Sequence, residues 1–306
     1  MGAQCTIALI VYHCSEFPGG KNEIMPAQPS SGLRAFTYIA NILRDHHLLR
    51  GAAYFGIAAT ALQAIGRHFP EGQPYSLERL HLSVLPLTLA VTRSFVELRP
   101  EDSVHWTDVD VPHEAGQMAN GVVLGTAAIL GTLGIAWAKK WVSAPTWGWA
   151  QVEPAALARS MALITSGHLA VACSEELVFR GYGYTTLRHA MPAPLAGAGV
   201  TGLFALAHPL TLRTLVGESA SGLTLLALRI HSDGIWLPIG YHWAWNVLQT
   251  AVFGPADGPP SLRPLHIHGP PVLVGRPGHP EPGVLSTVVN LALALGIALY
   301  TKGQRQ

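Results

Sequence analysis

Apolar residues run along this chain in long unbroken segments, Gly121–Trp137, Ala155–Cys173, Leu195–Ala207, Leu237–Phe253 and Val284–Tyr300, and not in the alternation of a half-buried strand. A helix needs roughly 20 apolar residues to cross the hydrocarbon of a bilayer, and several segments approach that length. Upstream, Leu33–Leu49 and Gly51–Ile65 predict a helical pair broken at Arg50-Gly51. Leu80–Val96, with Pro86 inside it, predicts a kinked or re-entrant helix. Asn120–Trp137 predicts a clean span stopped by Lys139-Lys140, followed by a long helix over about 154–190. Further helices are expected to end at Ala207-His208-Pro209, to run from Glu218 to Ile230, and to cover Ile235–Phe253. A last span, Val284–Tyr300, carries a basic tail of Lys302 and Arg305. The connections are a Pro/Gly/Ser linker (Phe17–Ser31), a polar loop (Arg99–Glu114), an aromatic link (Ser143–Trp149) and a Pro/Gly-rich loop (Pro255–Gly283). The expected fold is an all-α polytopic transmembrane bundle of about seven to eight helices. Residues 1–115 carry no recognised motif, and a core is expected over 116–301.

Composition strengthens this picture. The 306 residues are 49% hydrophobic and 12% charged, with a mean hydropathy of +0.30, whereas an ordinary soluble domain is about 25% charged. The lipid bilayer is the first expected partner. A net charge of +1 gives no case for nucleic acid. The three cysteines, Cys5, Cys14 and Cys173, have no metal spacing, and an odd number argues against a disulfide framework. Arginine outnumbers lysine 15 to 4, and Ala, Gly and Pro are abundant, which points to a bacterial source and hence a multi-pass protein of the plasma membrane. Asp108, Asp110, His113 and Glu114 in one loop, and His266, His268 and His279 in another, are read as solvated loop residues and not as metal ligands.

The candidate chemistry lies where polarity interrupts apolar helices. Ser174-Glu175-Glu176-Leu177-Val178-Phe179-Arg180 closes an apolar run, and a charge near hydrocarbon costs several kcal/mol (roughly) unless paired or facing a wet cavity. Glu176 and Arg180 are four residues apart and share a helix face, in the favourable order for an ion pair. Glu175 lies about 100° round the helix and is left without that partner. Phe204-x-x-x-His208 and His242-x-x-x-Asn246 each place an aromatic or amide one turn from an imidazole. Groups of this kind on separate helices point inward at one another or at a water-filled pocket. A carboxylate, two imidazoles and an amide can activate water and hold an oxyanion. Neither Ser174 nor Cys173 has a base placed for it in the sequence.

Glu175-Glu176-x-x-x-Arg180, Phe204-x-x-x-His208 and His242-x-x-x-Asn246, in this order and roughly 30 residues apart, resemble the CAAX-prenyl-protease and bacteriocin-processing (CPBP, abortive-infection) family of intramembrane proteases. The likeness extends to Phe179-Arg-Gly-Tyr, to Gly222–Arg229 and to the Ser232–His242 run, and covers about residues 117–300. The resemblance implies an intramembrane endopeptidase that hydrolyses a peptide bond near the membrane face. By that likeness Glu175 is the general base, acting with His208 on the attacking water. His242 and Asn246 form the oxyanion hole, Glu176 with Arg180 positions the motif helix, and Phe204 packs in the site. The implied partner is a peptide or membrane-protein substrate.

His-Glu-x-x-His is absent, so there is no compact zinc signature. The expectation is therefore a protease without a cofactor, the alternative being a zinc site held by Glu175, His208 and His242. The competing function is a non-catalytic membrane scaffold or bacteriocin-immunity factor. A proton-relaying transporter is a third class, but its paired broken helices would occupy both halves of the chain, and here the buried polarity lies in the second half.

Overall fold

A computed structural model describes residues 31–70, 73, 75–100, 111–144, 148–253, 265–275 and 283–305. The chain divides into Met1–Ile39, of which only the start of the first helix is described, and Ala40–Gln306, which holds everything discussed below. The helices are α1 (Ser31–Asp45), α2 (His47–Gly66), α3 (Ser76–Leu98), α4 (Val111–Ala138), α5 (Pro154–Glu176), α6 (Tyr184–Ala190), α7 (Ala193–Leu206), α8 (Leu212–Ser232), α9 (Trp236–Phe253), α10 (Pro271–Val274) and α11 (Val284–Gln304). A π-helical segment, Leu177–Gly183, joins α5 to α6. Two-residue strands β1 (Val142–Ser143) and β2 (His266–Ile267) pair antiparallel. The fold is all-α.

Among the described residues, four helices are long and apolar enough to cross a membrane: His47–Gly66, Pro112–Ala138, Pro154–Ala190 and Val284–Gln304. That is fewer than the seven to eight expected. The helices α3, α8 and α9 are not among the four: their polar residues lower their hydropathy yet point inward. Glu78, His81, Thr88 and Thr92 of α3, Glu218 and Arg229 of α8, and His242 and Gln249 of α9 are all buried. Polar side chains spent on the interior of a bundle are not visible to a hydropathy average.

The first helical break falls at His46, not at Arg50-Gly51. Arg50 is fully buried inside α2, where Nη1 donates to the carbonyls of Leu43 and Arg44 at 2.8 Å each. It satisfies the last carbonyls of α1, which a helix end leaves without partners. The polar loop is also shorter than expected, because α4 starts at Val111 and takes in His113 and Glu114; Asp108 and Asp110 lie outside the described residues. Pro86 sits inside an uninterrupted α3.

The motif helix is held from two sides. On one, it packs on α9, itself seated so closely on α4 that a Cβ on Gly121 or Gly240 would run into the backbone of the other helix, at Leu237 and Met118 respectively. On the other, α3 packs on α5. A Cβ on Gly167 would collide with Glu78, backbone included. Tyr75 Oη donates to Ser160 Oγ at 2.8 Å, and Tyr182 Oη to the Phe95 carbonyl at 3.5 Å. These pairs rise together along both chains, so α3 runs parallel to α5 and its continuation.

Part of the Pro/Gly-rich loop packs into the molecule. Leu265 and Val274 are buried with Ala136 and Val142, and His268 Nε2 donates to the Lys140 carbonyl at 2.8 Å. His266 pairs with Ser143 in the short ribbon; His279 lies outside the described residues.

Candidate functional site

The π segment begins immediately after the two glutamates. Insertions of this kind widen a helix and recur at functional sites. At Gly181 the backbone leaves helical geometry (φ −77°, ψ −109°). Arg229 of α8 compensates: its Nε donates to the Arg180 carbonyl at 3.1 Å, while Nη1 pairs with Asp233 at 3.1 Å. The kink is thereby tied to the C-terminal end of α8.

Glu176 and Arg180 are both fully buried. Arg180 Nη1 donates to Glu176 Oε1 at 3.2 Å and Nη2 to the Gly222 carbonyl at 3.2 Å. The guanidinium lies over the Phe204 ring, 4.2 Å from its centroid, a cation–π contact shielded from water. Glu176 has a second task that the i,i+4 spacing did not reveal. His242 Nδ1–H donates to the same Oε1 at 2.9 Å. That bond fixes the ring and turns Nε2 toward Glu175, whose Oε2 is 3.9 Å away. The imidazole of α9 is thus clamped between the two adjacent carboxylates, one fully buried and one with 19% of its side chain exposed.

His208 sits just beyond the end of α7. Its Nδ1–H donates to the Phe204 carbonyl at 2.8 Å, and its ring packs on Phe204 at 4.8 Å. Phe204 also meets His242 edge to face, 6.4 Å between centroids, so one aromatic separates the two imidazoles. The nearest acid to His208 is not Glu175 but Glu218 of α8, with Oε2 3.8 Å from Nε2. Glu175 interacts electrostatically with His242, His208, His81 and Arg180. Asn246 is half-buried, one turn beyond His242 on α9. Ser174 Oγ is buried with no hydrogen-bond partner, and Cys173 packs partly buried against Ala172, Leu177, Ile235 and Ile239.

The structure therefore brings Glu175, Glu176, Arg180, Phe204 and His242 into one cluster, with His208 on its edge. Glu218 of α8 approaches its edge through His208, and His81 of α3 lies within electrostatic range of Glu175, His208 and His242; neither was singled out in the sequence. The signal was weak: each is one of several polar groups on its helix. What was missing was any spacing that ties it to the motifs. His208 Nε2 lies 3.8 Å from Glu218 Oε2, and among the described residues no three His, Cys, Asp or Glu side chains are grouped to hold a metal ion.

Residues 157–248 match the family model of Rce1-like type II CAAX prenyl endopeptidases. No curated protein and no solved structure matches the chain. The matched stretch contains all three motifs and excludes α2, α3 and α11. Together with four helices fit to cross a bilayer, it makes this an integral membrane protein whose motif-bearing segment, residues 157–248, is similar to Rce1-like type II CAAX prenyl endopeptidases.

Proposed function

We propose that this protein is an intramembrane endopeptidase in which Glu175 activates the attacking water. The observation that carries the reading is the clamp on His242: Nδ1 held by buried Glu176 at 2.9 Å and Nε2 turned toward Glu175 at 3.9 Å. A gap of that size is too long for a direct hydrogen bond and suits groups that share a ligand between them.

Glu175 takes a proton from water as the oxygen attacks the scissile carbonyl. The tetrahedral oxyanion receives hydrogen bonds from His242 Nε2–H and the Asn246 carboxamide, each worth about 3–4 kcal/mol when preorganised in a dry site. Glu175 then returns its proton to the leaving amine as the C–N bond breaks. His208, fixed through Nδ1 to Phe204, lies within the electrostatic reach of Glu175 and orients the water. No step is routed through a metal. The family match supports a peptide ending in a prenylated CAAX sequence as the first substrate to try.

The test is cleavage of a quenched peptide panel, including one prenylated CAAX peptide, by purified protein in detergent. Wild type is compared with Glu175→Gln, with and without a strong chelator. Turnover lost in Glu175→Gln and indifferent to chelation is the expected result. Loss on chelation restored by zinc would replace the mechanism. Activity surviving Glu175→Gln would remove the assignment of the base.

A further inference from the structure

His81 of α3 is 5% exposed, and its Nδ1 is closed to solvent with no hydrogen-bond partner. A buried imidazole nitrogen without a partner needs an explanation. A proton on that atom would be a buried donor with no acceptor, which costs about 1–3 kcal/mol, whereas a bare nitrogen costs less. The favoured tautomer therefore carries its hydrogen on Nε2. Glu175, His242 and His208, three residues of the proposed site, lie within electrostatic range of His81.

Its placement is imposed by packing. Glu78, one turn before His81 on the same face, lies against Gly167, the position where α5 has no room for a Cβ. Glu78 Oε1 is 3.5 Å from His168 Nε2, and that nitrogen is 2.8 Å from Thr250 Oγ1 of α9. The Glu78–His168–Thr250 chain thus stitches α3, α5 and α9 together beneath the motif glutamates. His81, one turn further along α3, is therefore held at a fixed level against α5.

We infer that His81 is a further catalytic residue, contributed by a helix outside the matched segment 157–248, whose Nε2–H donates to the developing oxyanion. The inference rests on the endopeptidase reading above. The oxyanion then has donors from α3 as well as α9, and the substrate carbonyl is enclosed between the two.

Three variants test it on the same peptide panel, with kcat and KM measured separately and folding checked by thermal unfolding in detergent. His81→Phe keeps the bulk and loses the donor; His81→Gln keeps an N–H at the position of Nε2; Glu175→Gln removes the base. The expected result is a fall in kcat of about 10²–10³-fold for His81→Phe with KM little changed. His81→Gln should recover most of that loss while unfolding at the same temperature as His81→Phe. Equal kcat for the two His81 variants, or wild-type kcat in His81→Phe, overturns the inference while Glu175→Gln remains inactive. If Glu175→Gln retains turnover, the endopeptidase reading itself fails, and this inference falls with it.

Discussion

The Glu176–Arg180 pair allows a prediction whose size follows from burial. Both side chains are fully excluded from solvent, joined at 3.2 Å, and Arg180 finds one further acceptor in the Gly222 carbonyl. Removing Glu176 leaves the Arg180 charge buried without its counter-ion, and removing Arg180 leaves Glu176 with His242 Nδ1–H alone, a cost of up to about 3–5 kcal/mol. Glu176→Gln keeps the shape and removes the charge; Arg180→Met keeps much of the length and removes the opposite one. For a large domain about 1 kcal/mol corresponds to roughly 2 °C in Tm, so each single variant should lose up to roughly 6–10 °C. The double variant replaces a buried ion pair by neutral groups of similar volume, which is often neutral or stabilising. It should therefore unfold well above either single variant, a coupling of several kcal/mol (about 3) in a double-mutant cycle. The assay is thermal unfolding of the detergent-solubilised protein, followed by intrinsic tryptophan fluorescence. Single-variant shifts within ~2 °C, or an additive double variant, would refute the claim that the pair is a closed, water-free bridge. Turnover supplies a second reading. The double variant, though stable, should remain slow because the uncharged Gln oxygen is a weaker acceptor for His242 Nδ1–H than the Glu176 carboxylate.

Two further outcomes follow. Gly167→Leu should destabilise the protein by more than the 1–3 kcal/mol typical of overpacking, because its Cβ meets Glu78 backbone that cannot rotate away; a Tm unchanged from wild type would mean that α3 is not seated on α5 as described. Asn246→Ala should lower kcat about 10²–10³-fold with KM little altered, as expected for loss of one oxyanion donor, and steady-state kinetics on the best substrate of the panel would reveal an equal loss in KM if the amide binds ground state instead.

Much was legible in the chain before any tertiary contact was known. Long apolar segments and scarce charge follow from what a helix facing hydrocarbon must be made of, so the all-α class could be read from composition and segment length. The ion pair at Glu176 and Arg180 could be read as well, because four residues on a helix is a local distance. What was not legible depended on one helix meeting another. Nothing in the spacing shows that Glu176 Oε1 serves His242 as well as Arg180, across 66 residues of sequence. Nor could it show that His208 faces Glu218 across a turn, or that Arg50 folds back to cap α1. The helices α3, α8 and α9 hide their polar residues inside the bundle, and hydropathy counts polarity without knowing which way it points. His81 illustrates the division: the sequence determined that a histidine lies among the apolar residues of α3, and only the close seat of that helix on Gly167 decided which carboxylate and imidazoles came within its electrostatic range.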